Sequence, residues 1–440
     1  MLTKLTLKNF KGFREAELKL GPLSLVIGAN ASGKSNLRDA LRFIHGIARG
    51  YSLAEVIGEK YGEGGYREWS GLRGGAREVC RTGTNAFTIV LEFQPTRGAT
   101  SIPVTYRYSI VVEIAGTSVA RVTAESLYRD DQIVFDSHPE WEEPEQWDRQ
   151  HIALRLPTGE NYRRMGPKIV ALAHQPALTQ IRALAKQQDV EWMVKESVED
   201  TLTELEAMRF VDFVPEAMRR PSLPGQIVLS DQGENLSSVL QAICENIQSK
   251  DALLSWIRQL TPMDVTEFDF VSDTQGKILL QLIEKDGRTI SAYSASDGTL
   301  RFLGVLAAFL GPKPARFYFL EEIDTGIHPA RLFLLMNLLE IRSRNSGLQI
   351  FSTTHSPQML RLLRDLSFAS LTYRVEGVSE TRIKSLPDIP KLMEVLKDSD
   401  IARLYEGGWM EQTMFFEEGE SEPFELESEE AGRVNEEGFK

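Results

Sequence analysis

The sequence predicts an α/β fold with a parallel sheet at its centre, and three strand-like segments support this prediction. An apolar run over residues 23–27 is followed by a glycine-rich loop and then, from Asn36, by apolar residues at helical spacing. Two later apolar runs, over residues 317–320 and 348–354, end in carboxylates and in a histidine. Continuous apolar runs are typical of strands buried on both faces. Polar residues at their ends are typical of ligand sites at the carboxyl edge of a parallel sheet.

The glycine-rich loop, Gly28 to Ser35, reads G-A-N-A-S-G-K-S and matches the pattern G-x-x-x-x-G-K-[ST]. Such a loop turns several backbone N–H groups toward a phosphate, while its lysine serves the outer phosphates and its hydroxyl serves Mg²⁺. The N-terminus of the following helix points at the same anion. The loop therefore predicts a nucleotide site. The residues expected to bind the nucleotide are Gly28, Asn30, Ser32, Gly33, Lys34, Ser35 and Asn36, with Ser35 also on the metal.

Three downstream segments have side chains suited to nucleotide chemistry. The turn Ser296-Asp297-Gly298-Thr299 precedes an apolar helix; taken alone it is a helix cap whose N-terminus can face an anion. The aromatic strand at 317–320 is followed by Glu321 and Glu322, which suits the placing of carboxylates near Mg²⁺ and an attacking water. The strand at 348–354 is followed by His355. Their order after the phosphate loop indicates nucleotide hydrolysis.

With these residues in this order, the sequence resembles the ABC-type ATPases of the RecF, SMC and overcoming-lysogenization-defect group, and specifically the short AAA-like ATPases of bacteria. The resemblance covers about residues 1–93 and 289–363 and is weak between them. It implies a P-loop NTPase fold of ABC type, ATP and Mg²⁺ as ligands, and a site shared by two protomers.

The resemblance also implies a role for each motif residue. Glu321 would hold Mg²⁺, Glu322 would polarise the attacking water, and His355 would sense the γ-phosphate. Ser296 and Gly298 stand where the family has its signature segment, and would touch the γ-phosphate of a nucleotide held by the other protomer.

One departure from the family bears on the dimer. The family often reads E-E-P-E-N-G-L-H-P after the buried strand, whereas residues 321–329 read E-E-I-D-T-G-I-H-P. The two leading acids are kept. The roles of Asp324 and Thr325 at the contact between protomers stay open.

Between the motifs, the sequence predicts a β lobe and a helical insertion. Residues 87–93, 104–114 and 118–127 alternate with period two, as in an antiparallel meander, and Gln94 is one candidate for the glutamine of transporter ATPases. Residues 180–209 have helical apolar spacing without sustained heptads. The predicted division is residues 1–130, the N-terminal half of the ATPase core with the β lobe; 131–285, a mainly helical insertion; 286–410, the C-terminal half of the core; and 411–440, an acidic disordered tail.

Composition predicts a soluble cytosolic enzyme. The apolar share is 42% over 440 residues, and Cys80 and Cys244 have neither metal-type nor disulfide-framework spacing. Met1 leads into a predicted strand, so no N-terminal signal is expected, and no apolar run approaches the ~20 residues that cross a bilayer. The net charge of −13 is concentrated in residues 417–440, where ten Glu face two basic residues. That tail is expected to serve solubility or partner docking.

Arginine clusters leave nucleic-acid binding open. The clusters are Arg67, Arg73, Arg77 and Arg81 around Trp69, then Arg163-Arg164 with Lys168, then Arg219-Arg220. Because exposed arginines are usually solvated surface, direct DNA binding is an alternative rather than the leading interpretation.

The sequence-based interpretation is an ATPase in which two protomers close head to tail around two ATP molecules, with Lys34, Glu322 and His355 as catalytic residues. Because each site needs two chains, hydrolysis is tied to dimer opening, as in a switch or clamp. No acidic nuclease cluster follows His355, so effector chemistry is expected on another chain, a nuclease or toxin in phage defence or genome maintenance. Two alternatives are a RecF-like repair ATPase acting directly on DNA and an ATP-binding scaffold without hydrolysis.

Overall fold

The computed structural model describes residues 1–95, 103–116, 119–137, 149–158, 164–166, 168–185, 190–260, 263–345, 347–374 and 380–414. The predicted disordered tail is residues 411–440, of which 415–440 lie outside the described residues, as does Arg163. Residues 411–414 are helical and Met414 is buried against the second core, so the disorder predicted for these four residues is wrong. None of the described helices combines the length and the apolar character needed to cross a membrane.

The strands are β1 (Leu2–Phe10), β2 (Phe13–Lys19), β3 (Leu23–Ile27), β4 (Lys60–Tyr61), β5 (Arg67–Trp69), β6 (Ala86–Phe93), β7 (Tyr106–Ala115), β8 (Val119–Arg129), β9 (Gln132–Asp136), β10 (His151–Leu154), β11 (Pro157–Thr158), β12 (Arg164–Met165), β13 (Ile169–Leu172), β14 (Met208–Val211), β15 (Val265–Ser272), β16 (Ile278–Glu284), β17 (Thr289–Ser291), β18 (Phe317–Leu320), β19 (Gln349–Thr354), β20 (Ala369–Arg374) and β21 (Thr381–Ser385). The α-helices are α1 (Lys34–Ala48), α2 (Leu53–Ile57), α3 (Gly75–Glu78), α4 (Ala177–Ala185), α5 (Trp192–Glu206), α6 (Pro215–Met218), α7 (Leu236–Cys244), α8 (Ile247–Leu260), α9 (Asp297–Leu310), α10 (Pro329–Asn345), α11 (Pro357–Leu362), α12 (Leu392–Val395) and α13 (Ile401–Glu406).

One large mixed sheet organises the fold. Its order is β14-β18-β19-β3-β20-β21-β2-β1-β6-β7-β8-β9. The first five strands run parallel, and β21 joins antiparallel to β20. In the other half of the sheet, the neighbours β2, β1, β6, β7, β8 and β9 each pair antiparallel with the next, and they form the predicted β lobe. The predicted combination of a parallel core with an antiparallel lobe is therefore confirmed.

The parallel strands are buried on both faces, which explains their continuous apolar sequences. Phe319 packs into a core with α1 and α5, whereas its neighbour Leu320 packs into a second core with α7, α8, α9 and α10. Phe210 and Phe351, on the strands either side of β18, stack on Phe319 with ring centroids 6.1 and 4.8 Å away. These layers hold the carboxyl ends of β3, β18 and β19 at one edge of the sheet.

Residues 131–285 are richer in strands than predicted. Strands β9 to β13 come first, α4 and α5 precede β14, and α6 to α8 precede β15 and β16. Strand β14 is the edge strand of the main sheet. The prediction extended helical spacing to residue 209, but α5 ends at Glu206 and Met208 pairs with β18. Phe210 enters the first core and Val211 the second, because successive side chains of a strand point to opposite faces. The domain boundaries themselves stay predictions.

Candidate nucleotide-hydrolysis site

The phosphate loop joins β3 to α1. It is held by β20 and β21, the two strands of the main sheet that come last along the chain. A Cβ on Gly28 would lie 2.3 Å from the carbonyl oxygen of Thr372, and a Cβ on Gly33 (φ 100°) would lie 2.4 Å from the Thr381 side chain. Ser32 Oγ lies 2.7 Å from Thr372 Oγ1. The loop can therefore take this course only with glycine at both positions.

Lys34 is folded into the loop. Its side chain is buried, and its Nζ donates to two loop carbonyls, those of Gly28 and Ala29, at 2.7 and 2.9 Å. The same Nζ lies 3.2 Å from His355 Nδ1. Burial lowers the pKa of Lys34 from 10.5 to about 8, although the nearby carboxylates, Glu322 foremost, act in the opposite direction.

The carboxyl end of β18 places Glu321 beside the start of α1. Ser35 Oγ donates to Glu321 Oε1 at 2.7 Å, and Arg38 Nη1 lies 3.4 Å from Glu321 Oε2. A hydroxyl and a carboxylate held side by side are the oxygen donors that Mg²⁺ prefers, together with phosphate oxygens and water. The two residues predicted as metal ligands, Ser35 and Glu321, therefore fit the ion.

Glu322 and His355 form a hydrogen-bonded pair on the other side of the loop. Glu322 Oε1 lies 2.7 Å from His355 Nε2, and His355 Nδ1 lies 3.0 Å from the carbonyl oxygen of Gly28. Glu322 has a left-handed backbone with φ 46°, which costs about 1–2 kcal/mol for a residue with a Cβ. Its N–H donates to Thr353 Oγ1 at 3.3 Å. These contacts hold the carboxylate at the open edge of the loop.

Asp324 and Thr325, whose roles the sequence leaves open, stabilise the turn after the two acids. Thr354 Oγ1 donates to Asp324 Oδ1 at 2.7 Å, and the N–H of Thr325 donates to the carbonyl of Glu322 at 2.9 Å. Burial raises the pKa of Asp324. Within one chain, both residues therefore fix the position of Glu322.

The signature residues lie at the start of α9. Ser296 caps the helix by accepting from the N–H of Thr299 at 3.2 Å. Gly298 lies against the turn after the acids, where a Cβ would come 2.2 Å from the carbonyl oxygen of Gly326. Within the described ranges, the hydrogen bonds of the Ser296 side chain go to Thr299 and not to the phosphate loop of the same chain.

A cavity of about 610 Å³ lies beside the start of α1 and the turn between β1 and β2. Its lining includes Gly12, in the turn between β1 and β2, and Asn36, directly after the phosphate loop, and also Arg77 and Arg81. Asn30, the remaining predicted ligand, is exposed at the tip of the loop.

Gln94 is not part of the site, contrary to one interpretation of the sequence. Its N–H donates to the carbonyl of Met1 at 2.8 Å, and its side chain lies 3.4 Å from Thr105 Oγ1. Because β1 and β6 are antiparallel, Gln94 is at the end of β1 opposite to Gly12. A glutamine at a strand end is here only a terminal residue of the β lobe.

Sequence reasoning did not select four of the residues that hold the site. These are Arg38, Thr353, Thr354 and Thr372. The available signals were an arginine one helical turn after the loop and two threonines directly before His355 in an apolar strand.

A protein family described as "AAA domain, putative AbiEii toxin, Type IV TA system" matches residues 23–361, about three quarters of the chain. The chain belongs to this family. The matched range begins at β3 and ends after His355, so this AAA-domain protein has its phosphate loop, signature segment, acids and histidine inside the family's common part. The predicted membership in the AAA-like ATPases with an ABC-type core is thereby confirmed.

Individual relatives of this AAA-domain protein are distant. A curated protein named "ATP/GTP phosphatase" from Helicobacter pylori (strain ATCC 700392 / 26695) is 28% identical over 156 residues, which are 33% of this chain and 41% of that protein. The chain thus spans about two fifths of the length of that relative.

Solved structures with detectable similarity include SMC heads. The SMC head domain from Thermotoga maritima is 14% identical and covers 87% of this chain and 98% of its own, with a TM-score of 0.42. The SmcHead bound to the C-winged helix domain of ScpA is 13% identical and covers 88% of this chain and 98% of its own, with a TM-score of 0.48.

Proposed function

We propose that the protein hydrolyses ATP and uses the cycle of binding and hydrolysis as a switch. One observation supports this above the others. Lys34, Ser35, Glu321, Glu322 and His355 come from three separated segments, yet hydrogen bonds of 2.7 to 3.2 Å connect them at one edge of the sheet. A cation, a metal-binding pair, a carboxylate and a histidine in one cluster are the parts that phosphoryl transfer to water requires.

Each side chain has a defined task in this mechanism. Lys34 is placed to exchange its carbonyl partners for the outer phosphates, and Ser35 and Glu321 would hold Mg²⁺. When bound, the ion neutralises charge on the phosphates. Glu322 accepts a hydrogen bond from the attacking water and orients it. His355, already bonded to the Glu322 carboxylate, holds that carboxylate in place and presents its ring to the γ-phosphate.

We propose further that two copies complete each site. Ser296 and Gly298 form the N-terminus of the fourteen-residue helix α9, and the partial positive charge of a helix N-terminus favours an anion. Ser296 bonds only within its own turn in the described part of the chain, so it is available to a nucleotide held by a second copy. ATP would then join two chains, and hydrolysis would release them.

The biological role we propose is control of a partner effector, a nuclease or toxin, in phage defence or genome maintenance inside the cytoplasm. The description of the family, which names a toxin and a type IV toxin–antitoxin system, supports a defence setting. The RecF-like alternative predicts hydrolysis that DNA stimulates. The non-hydrolysing scaffold is opposed by the Glu322–His355 pair, which a purely binding site does not need.

The test compares Glu322→Gln with Glu15→Gln, a control on the exposed face of the β lobe. We expect Glu322→Gln to bind ATP and to lose hydrolysis by about 10²–10⁴-fold, because only the water-orienting group is removed. In light scattering with ATP and Mg²⁺, the same variant should change from monomer to dimer. Wild-type hydrolysis that survives in Glu322→Gln would refute the assigned role, and a mass that ATP does not change would refute closure by ATP.

A further inference from the structure

A second cavity of about 610 Å³ lies along α1, between this helix, the segment 67–73 that includes β5, and β14. Six arginines line it: Arg38, Arg42, Arg49, Arg67, Arg73 and Arg209. The arginine cluster noted in the sequence is therefore divided, since Arg67 and Arg73 face this cavity while Arg77 and Arg81 face the one beside Asn36. The cavity is of a size typical of small-ligand sites, about 300–1,000 Å³.

Three of these arginines, Arg42, Arg49 and Arg209, have no carboxylate oxygen within 4 Å among the described residues. Arg42 is the most notable, because it is only 8% exposed. Its guanidinium lies 4.4 Å from the centre of the Trp69 ring and donates to Ser70 Oγ at 3.0 Å. Burial, together with the charge of Arg38, lowers its pKa to about 10. A buried cation without a paired anion is costly, so an anion at this position would stabilise the protein.

Five carboxylates also line the cavity, those of Asp39, Glu68, Asp212, Asp231 and Glu234, but none of them lies within ion-pair distance of Arg42, Arg49 or Arg209. Asp39 is shared by Lys11 Nζ at 2.8 Å and Arg73 at 3.2 Å. Asp231 also lines the cavity and attracts Arg42, but lies beyond ion-pair distance from it. These acids oppose a long polyanion lying across the opening. They are compatible with one compact, strongly charged group on the arginines.

Arg38 connects this cavity to the hydrolysis site. Its Nη1 lies 3.4 Å from Glu321 Oε2, and its Nε is buried without a hydrogen-bond partner in the part of the chain that the structure describes. Arg38 therefore has one N–H group without a partner among the described residues, at Nε. Its Nη1 faces Glu321, the residue expected to hold Mg²⁺. An anion that draws Arg38 toward the cavity would leave the Glu321 carboxylate to the metal.

We propose that this cavity binds a phosphate-bearing ligand, with Arg42 and Arg209 on the phosphate, and that Arg38 transmits its presence to Glu321. Guanidinium groups match phosphate oxygens in pairs of parallel hydrogen bonds, which a carboxylate at longer range does not offer. The phosphate belongs either to a free phosphate compound or to the 5′ end of a nucleic-acid strand. The link to Glu321, which rests on the proposed function, predicts that the ligand raises the rate of ATP hydrolysis.

Binding is measured on the full chain with Lys34→Ala, which removes the cation of the phosphate loop and leaves the cavity intact. The probes in titration calorimetry are inorganic pyrophosphate and a six-nucleotide DNA strand with either a 5′-phosphate or a 5′-hydroxyl. We expect saturable binding of a phosphate-bearing probe, weakened at least tenfold by Arg209→Gln or Arg42→Gln. The exposed Arg14→Gln on the β lobe should bind as before.

The preferred probe identifies the source of the phosphate. Selective binding of the 5′-phosphate strand means a nucleic-acid end, and selective binding of pyrophosphate means a free compound. If Arg42→Gln does not fold, Arg209→Gln suffices, because Arg209 bonds only to its neighbouring carbonyl among the described residues. Absence of binding by every probe, or equal binding in Arg209→Gln and Arg14→Gln, would overturn the proposal.

The link to hydrolysis is measured separately on the otherwise unaltered protein. At saturating ATP and excess Mg²⁺, the preferred probe should raise the rate of ATP hydrolysis at least twofold. In Arg209→Gln the probe should leave this rate unchanged. Binding without any change in rate would overturn the link through Arg38 while leaving the site. A wild-type protein without hydrolysis would refute the proposed function and not the binding measured in Lys34→Ala.

Discussion

ATP binding should weaken steeply above pH 8 because of the state of Lys34. This lysine is only 6% exposed, and burial lowers its pKa to about 8. It must be protonated to pair with phosphate. ATP therefore binds with uptake of a proton wherever Lys34 is neutral beforehand, and the phosphates themselves are already ionised above about pH 7.

The size of the effect follows from that pKa. With a value of about 8, the ammonium form makes up about nine tenths of the free protein at pH 7 and about one tenth at pH 9. Apparent ATP affinity should therefore fall about tenfold between these pH values, equivalent to about 1.4 kcal/mol. The effect of pH on the stability of the fold has the opposite sign. Because the folded pKa lies below 10.5, the free energy of unfolding gains from this group as pH rises from 8 to 10.5.

Titration calorimetry in two buffers with different ionisation enthalpies measures both quantities. We expect about half a proton taken up per ATP at pH 8 and nearly one at pH 9. Lys34→Arg is the matched control, because its guanidinium stays charged and the pH slope should vanish even if affinity is lower throughout. An affinity that is constant from pH 7 to 9 in the wild type, without proton uptake, would show that the carbonyl-bound Lys34 is not desolvated as argued.

Three further predictions concern buried and strained positions. Burial raises the pKa of Glu125 to about 7, so the free energy of unfolding should fall by up to ~3 kcal/mol from pH 4.5 to 7, and denaturant titrations of Glu125→Gln should lack this fall. Gly298→Ala should lower that free energy by about 1–3 kcal/mol even in the monomer, since its Cβ would come 2.2 Å from the Gly326 carbonyl; unchanged stability would contradict the close packing. Glu322→Asn should raise the melting temperature while hydrolysis is lost, because Asn tolerates a left-handed backbone better; a lower melting temperature would argue against strain at this residue.

The sequence was sufficient for features that depend on local pattern. The phosphate loop has its own signature, β18 is recognisable because all four of its residues are apolar or aromatic, and β19 because Ile350 and Phe351 stand at its centre. The position of Glu321, Glu322 and His355 then follows, since parallel neighbours end at the same edge. The proximity of these residues could therefore be predicted without knowledge of any long-range contact.

Features that depend on distant partners could not be predicted. β14 has four residues directly after a helix, and its apolar spacing continues that of the helix, so only its pairing with β18 identifies it as a strand. The phosphate loop is anchored by Thr372 and Thr381, more than 300 positions away. Likewise, the arginines around Trp69 line two different cavities, Arg67 and Arg73 one and Arg77 and Arg81 the other.

The turn that follows Glu322 gives a physical reason why closure and hydrolysis would be coupled. Its beginning is bound to Thr353 through the N–H of Glu322, its middle to Thr354 through Asp324, and its end touches the signature helix at Gly298. The contact at Gly298 has no room for a side chain, so the helix and the turn cannot slide past each other without moving one another. If two copies close as proposed, a pull on the N-terminus of α9 would be passed through this contact to the turn, and so to the left-handed backbone and the carboxylate of Glu322. The strain stored at Glu322 lowers the free energy needed for that shift.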